Sequence, residues 1–511
     1  MEGCFLTHDM GTSCDKATLV STEGEVLKTC ICGYAIHFGK DGAAEQDPED
    51  WWRAFCQTSR ELLREVLPGQ LLAIAVSGQM MACLPVDERG KAVRPAMIWA
   101  DSRAQRQAKE IADSLGQEAY YGITGMRASG HYALSKMCWM QRHEPQLYEK
   151  TVCFLAAKDY INCRLTGVFA TDKEDAAYMH AYDIHRGEWS QTLLDAAGLQ
   201  AEKMPSVRAH GSVLGTVGKA VSMQTGIAAG VPVVLCPGDG DAATLGAGVV
   251  EVGDAYTNIG TSSWVSVLTG DARTDPFMRI TKADYFGLWR DSGTMQAGGF
   301  SYGWIKDVLY GSESADSGSV YRLLDEEASR VRPGADGLLY LPYLLGERSP
   351  WWDRRLCGAF LGMDDGTRRE HFVRAVLEGV ALHLKMILDI IRQTVPEPAP
   401  KLMRIIGGGG KSALWRQIFA DVYDLPILQT NATQEAGALG CAVVAGMGIG
   451  LYRDLHVIRQ FETVKSVTEP DPNRAAYYRE LQKTFVRAAQ VLAPVSHELW
   501  ELRQRESASQ H

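Results

Sequence analysis

The sequence predicts an α/β protein of two similar lobes, and three observations carry that reading. The chain has 511 residues, too many for one hydrophobic core. Residues 5–20, FLTHDMGTSCDKATLV, run apolar to an acid, turn on a glycine flanked by hydroxyl residues, and run apolar again. A diluted echo, AYTNIGTSSWVSVLT, occupies residues 255–269. A layout repeated at that distance points to duplicated domains rather than a solenoid, with a boundary near residues 245–253. The alternative is chance, because Gly-Thr-Ser is a common tripeptide.

The elements follow in order. Phe5 and Leu6 end a buried strand, Asp9 to Ser13 form a turn, and Ala17 to Val20 form a second strand. Glu23-Gly24 turns into a third strand, Val26 to Cys32. Asp47-Pro48 reads as an N-cap with proline at the first helical position, opening an amphipathic helix through Leu67. The apolar run Leu71 to Val76 lies between Gly69 and Gly78 and predicts a buried strand. Helical pattern covers about residues 132–165, with Gly167 as its stop. The second half restarts with strands Tyr256 to Ile259 and Trp264 to Leu268 around Gly260-Thr261-Ser262. A long helix at about 370–391, a strand from Leu402 to Ile406, four glycines and a helix from Ala413 follow. Asp471-Pro472 caps a last helix of mixed charge.

Composition narrows the function. With 46% hydrophobic and 22% charged residues the chain reads as an ordinary soluble protein. A net charge of −10 argues against broad attraction to nucleic acid or an anionic membrane. No window gives 18 uninterrupted apolar residues, and MEGCFLTHDMG lacks a signal-peptide pattern, so the expectation is a cytoplasmic protein. The twelve cysteines form no paired C-x-x-C pattern and are expected as reduced packing or surface residues.

Three stretches suit phosphate or proton chemistry. In Asp9-Met10-Gly11-Thr12-Ser13, glycine permits close backbone approach and two hydroxyls add donors. Lys16 could supply a positive charge and Asp9 could hold magnesium through water, although a self-capped turn explains the segment better when it is taken alone. In RIIGGGGKSALW, 404–415, a strand runs into Gly407 to Gly410 and a helix N-terminus, which favours a phosphate or nucleotide near the backbone. In VLCPGDGDAATLGAGVV, 234–250, Asp239 suits a general base and Asp241 an N-cap.

A fourth group, AEQDPEDWW (44–52), SGQMMAC (77–83) and IWADSR (98–103), collects acids, amides, indoles and an arginine suited to a polyhydroxylated ligand. Trp51 itself reads as core before ligand.

These motifs, together with KDYINCRLTG (158–167), TDKEDA (171–176), GERSPWWD (346–353), RAVLEGVA (374–381) and EAGALGCAVVAG (435–446), resemble the FGGY carbohydrate kinases, in particular xylulokinase-like members. They run in the family's order over nearly the whole chain. The resemblance implies two actin-like, ribonuclease-H-like α/β domains, 1–248 and 249–495, with an interdomain catalytic cleft for ATP, Mg2+ and sugar. It implies Asp239 as catalytic base, with Asp9 and Asp239 at the metal. Gly11, Thr12, Ser13 and Lys16 match the first phosphate loop and Gly260 and Thr261 the second. Gly299 resembles a nucleotide-phosphate contact, and Gly408, Gly409, Gly410, Lys411 and Ser412 resemble the adenosine loop. The sugar would meet Gln79, Met80, Met81, Asp101, Arg103, Asp239 and Gly240.

Two positions depart from the xylulokinase pattern: Met81 stands where a histidine is usual, and Gly240 where an asparagine is. D-xylulose is therefore the first expected acceptor, with another ketose, polyol or sugar acid (ribulose, gluconate, glycerol) as the alternative. An actin- or chaperone-like ATPase and a silent sugar sensor are remoter readings, disfavoured by the polyol-suited cluster and by retention of both Asp9 and Asp239. The implied partners are the sugar and ATP, with neither nucleic acid nor membrane, and a homodimer is common in the resembling family.

Overall fold

A computed structural model of the chain describes residues 3–67, 69–311, 317–395, 399–431 and 435–509. The chain divides into two compact units: Met1–Val250 with Lys282–Trp289 and Gln434–Glu462, and Glu251–Thr281 with Arg290–Thr433 and Thr463–His511. Among the described residues no helix is long and apolar enough to cross a membrane.

The first unit is built on a six-stranded sheet. Its strands are β1 (Cys4–Met10), β2 (Cys14–Ser21), β3 (Val26–Gly33), β4 (Leu71–Gly78), β5 (Val213–Thr216) and β6 (Pro232–Leu235), in spatial order β5-β6-β4-β1-β2-β3. The hairpins β1–β2 and β2–β3 are antiparallel, while β1 with β4 and β4 with β6 are parallel. The three parallel strands therefore end at one edge of the sheet, where ligands of open α/β sheets are bound. Helix α1 (Pro48–Leu63) starts as its sequence dictates: the Asp47 carboxylate accepts from Glu49 N at 2.9 Å and proline fills the first turn. It buries Trp51, Trp52 and Phe55 in a core that includes Leu6, Ile74 and Tyr160. The indole of Trp51 is fully buried.

The second unit repeats the plan. Strands β7 (Ala255–Ile259) and β8 (Ser263–Thr269) form an antiparallel hairpin, and β7 pairs in parallel with β9 (Met403–Ile406), which pairs in parallel with β10 (Ile427–Thr430). Helix α2 (Arg369–Thr394) supplies Val376, Leu377 and Leu384 to a core shared with Val265, Trp415 and Phe419.

Several local expectations change. Asp9 lies on β1 and not in the turn, because the ladder runs on to the pair Met10–Asp15. Helix α1 stops at Leu63, four residues before Leu67. The helical stretch expected over 132–165 is broken into helices Ala133–His143, Pro145–Lys150 and Ala157–Thr166, with a short strand, Cys153–Leu155, between the last two. Pro145 restarts the chain there, at the first-turn position proline tolerates. Gly167 does stop its helix, in the left-handed region at φ 77°. Asp471 caps the final helix, Pro472–Ser509, accepting from Asn473 N and Arg474 N at 2.9 and 3.0 Å.

Candidate active site

The ends of β1, β4 and β6 bring three predicted segments of the first unit to one sheet edge: Gly11–Ser13, Gln79–Met81 and Gly238–Gly240. The turn's outward carbonyls are all taken. Tyr34 Oη and Gln79 Nε2 donate to Gly11 O, and Gln46 Nε2 donates to Thr12 O at 2.6 Å. Gln46 in turn accepts from Trp51 Nε1 at 3.1 Å and from Gln79 Nε2 at 2.7 Å. Gln79 Oε1 is buried and has no protein partner. The hydroxyl of Thr12 accepts from Trp99 Nε1 at 2.8 Å, and Ser13 is exposed.

Asp9 faces a small cavity of about 30 Å³ lined also by Thr7, His8, Lys16 and Glu435. Its Oδ1 is buried without a hydrogen-bond partner. Burial, with Asp15 and Glu435 adding to it against the pull of Lys16, pushes the Asp9 carboxyl up to about 6. Lys16 Nζ pairs with Glu435 at 2.7 Å. An orphaned buried carboxylate oxygen beside a water-sized space suits a hard cation or its bound water.

Asp239 opens the helix Asp239–Gly246 and is exposed, whereas Asp241 is fully buried. The N-cap is Gly238, three positions before Asp241, so Asp241 is not the cap. Met80 packs on Gly238: a Cβ added there would meet Met80 Cγ at 2.7 Å. The carbonyl of Gly240 accepts from Thr244 Oγ1 at 2.7 Å.

Asp101 and Arg103 come together, but as a closed pair. The buried Asp101 carboxylate accepts from Ala44 N at 3.0 Å and from Arg103 Nε and Nη2 at 3.0 and 2.6 Å. Arg103 also donates to Glu45 at 2.5 Å and lies over the Trp139 ring at 4.7 Å.

Sequence reasoning missed Lys136. It is fully buried, and its Nζ donates to Met81 O at 2.9 Å and to Ile98 O at 2.7 Å, joining the Gln79–Met81 and Ile98–Arg103 segments. Met81 is held at φ 65°, a region where a methionine is strained. Burial pulls the Lys136 amine down to about 7, partly offset by Cys83 and Asp101. A lone lysine in the apolar stretch ALSKMCWM was the available signal.

In the second unit, β7 and β9 end side by side, with Asn258 opposite Ile406. Gly260–Thr261 and the glycine run Gly407 to Gly410 are thereby neighbours. Helix α3 (Gly298–Tyr310) presents its N-terminus to the Gly260–Thr261 turn: Gly299 N donates to Gly260 O at 2.7 Å and Phe300 N to Thr261 O at 3.1 Å. A Cβ on Gly299 would lie 2.4 Å from Gly260 O. Gly408–Lys411 form one 3-10 turn, and a Cβ on Gly409 would meet Ile259 Cγ2 at 2.3 Å, so bare backbone is required there. Ser412 caps the next helix, accepting from Trp415 N at 3.0 Å. Arg416 and Gln429 donate to Gly410 O, which leaves Gly408 and Lys411 exposed.

The N-terminal-domain model of the FGGY family of carbohydrate kinases matches residues 4–246, and the C-terminal-domain model matches 255–449. The chain is 30% identical over 481 residues to a xylulose kinase of Bacillus subtilis (strain 168), covering 93% of this chain and 94% of that one. It is 27% identical over 497 residues to a gluconokinase of Bacillus licheniformis, covering 96% of each. A gluconate kinase structure from Lactobacillus acidophilus aligns with TM-score 0.91 at 24% identity, over 97% of this chain and 99% of that one. A xylulose kinase structure from Rhodospirillum rubrum aligns with TM-score 0.90 at 28% identity, over 96% and 99%. The two sheet-containing units thus have the actin-like α/β fold expected from the sequence.

Proposed function

The chain belongs to the FGGY family of carbohydrate kinases and is an ATP-dependent sugar kinase, and from that premise we propose that it converts D-xylulose to D-xylulose 5-phosphate with Asp239 as general base. The observation that carries the base assignment is the contrast at one helix start: Asp239 is exposed at the sheet edge while Asp241 is fully buried. The exposed Asp239 carboxylate is open to a substrate hydroxyl, whereas Asp241 is enclosed by protein.

In the proposed reaction Asp239 takes the acceptor hydroxyl's proton as that oxygen attacks the γ-phosphorus. The bond from the γ-phosphorus to the β,γ-bridging oxygen breaks, and ADP leaves. The N–H groups of the Gly11–Ser13 turn and the Thr12 hydroxyl are suited to phosphate oxygens, as are those of Gly260–Thr261, and the glycine run Gly408–Gly410 with Lys411 and Ser412 suits the adenosine part. Magnesium neutralises phosphate charge in such transfers, and Asp9, with its orphaned oxygen, fits it, with Asp239 as the second carboxylate.

The acceptor is assigned D-xylulose on the similarity to xylulose kinases, and Gln79, whose Oε1 has no protein partner, is suited to a sugar hydroxyl. Gluconate is the second reading, favoured by the similarity to gluconokinases and by Met81 and Gly240. ADP release across D-xylulose, L-xylulose, ribuloses, glycerol, gluconate and a no-sugar blank tests both. D-xylulose is expected to give the highest kcat/KM; gluconate in that place would transfer the assignment. Asp239→Ala is expected to lower kcat by about a thousandfold with nucleotide affinity retained, and near-normal turnover would remove the base assignment.

A further inference from the structure

The motifs KDYINCRLTG and TDKEDA take no part in the chemistry above, yet the structure ties them to it. Lys158, fully buried, pairs with Asp159 at 2.7 Å, with Asp175 at 2.9 Å and with Asp172. The three carboxylates lie close enough to hold a metal ion, but the ammonium already sits among them. Burial raises Asp172, and the Lys158 ammonium with His210 overrides it, holding that carboxyl below its ordinary range.

The ionised Asp172 caps the short helix Lys173–Met179, its Oδ1 accepting from Glu174 N at 2.9 Å and Asp175 N at 3.0 Å. Glu174 is thus fixed at its backbone, and its side chain is fully buried. Its Oε2 accepts from Gly238 N at 3.0 Å, across 64 positions of sequence. Gly238 is the N-cap of the helix whose first residue is Asp239. On its other faces Gly238 is boxed by Met80, and Ser77 Oγ donates to the preceding Pro237 O at 2.8 Å.

We propose that Glu174 is a positioning residue for the kinase reaction: its buried carboxylate grips the Gly238 N–H and so sets the direction in which Asp239 leaves the helix start. The inference rests on Asp239 being the base. A hydrogen bond from one backbone N–H to a buried carboxyl oxygen is directional, and a base displaced by about 1 Å loses on the order of a hundredfold in rate. The link runs from Lys158 to Asp172, to Glu174, to Gly238, and ends one residue before the reacting carboxylate.

The test compares Glu174→Gln, Glu174→Met and Glu174→Asp with Asp239→Ala, measuring kcat, both KM values and melting temperature. Glutamine keeps an acceptor for Gly238 N, so kcat is expected within about threefold of the parent. Methionine removes the acceptor and aspartate withdraws it by one methylene; both are expected to lower kcat by about 10- to 100-fold with both KM values within about twofold. If Glu174→Met does not fold, Glu174→Asp answers the same question with the buried carboxyl group kept. Parental kcat in the folded variants, or a loss that follows the unfolded fraction and vanishes at lower assay temperature, would overturn the inference. Parental kcat in Asp239→Ala would instead remove the base assignment, so the two failures are separate results.

Discussion

In the first unit the turn Gly11–Ser13 follows a strand paired in parallel with Leu71–Gly78; in the second, Gly260–Ser262 follows a strand paired in parallel with Met403–Ile406. The frames match, but the pins differ. Side chains hold most of the first turn, through Tyr34, Gln79 and Gln46 on Gly11 O and Thr12 O, with one backbone bond from Tyr34 N to Ser13 O at 3.1 Å. Backbone holds most of the second, through Gly299 N and Phe300 N at a helix N-terminus, with the Ser263 hydroxyl donating to Gly260 O at 3.4 Å. Side-chain pins can be removed one at a time, in graded steps. The backbone pin fails only if the helix itself is pushed away.

The largest effect is therefore expected from Gly299→Val, whose Cβ would lie 2.4 Å from Gly260 O. Turnover should be lost and stability reduced by about 3 kcal/mol, read by ATP-dependent ADP release and thermal melting. Retained turnover would mean that the second turn tolerates displacement.

A pH series sharpens the contrast. In the second unit Glu347 accepts from Gln296 N and Arg348 N at 2.8 and 2.7 Å, with His383 at 3.5 Å, and burial pushes its carboxyl up to about 8. Its folded value exceeds its unfolded one, so its stabilising contribution is complete below 4.5 and is lost as pH rises to about 8. Lys136 in the first unit is depressed from 10.5 to about 7, so its contribution is complete above 10.5 and is lost as pH falls to about 7. Between pH 6 and 8, Glu347→Gln should gain about 2 kcal/mol on the parent, while Lys136→Met should lose about 1 kcal/mol relative to the parent over the same rise. Parallel melting curves for either variant and the parent would contradict the assignment.

Gln46→Leu comes next, because it leaves Thr12 O and the buried Trp51 N–H without their partner. The expected loss is about 2 kcal/mol with a raised KM for ATP. Tyr34→Phe removes one of two donors to Gly11 O and should cost about 1 kcal/mol, with kcat nearly unchanged.

Much of this was legible in the sequence. Apolar runs on either side of the Gly11 and Gly260 turns gave both hairpins, and Asp47-Pro48 and Asp471-Pro472 marked helix starts that the side-chain caps bear out. The misreadings have local causes. An apolar run such as Cys153–Leu155 is too short for periodicity to separate strand from helix. Asp241 has the composition of a cap, but the helix begins at Asp239 because Gly238, extended at ψ 174°, can serve as its N-cap. Lys136 and Glu174 were out of reach for another reason. Their partners, Met81 with Ile98 and Gly238, stand 38 to 64 positions away, and no local pattern encodes such a bond.

Lys136 grips residue 81 by its carbonyl and leaves the side chain outside the bond. Position 81 can therefore be exchanged without loosening the loop that carries it, provided the newcomer tolerates φ near 65°. Glycine, asparagine, aspartate and histidine sit there with least strain. Evolution thus has, at this one site, a short menu of side chains that can be swapped on an unchanged mount: a neutral spacer, an amide, an acid or an imidazole.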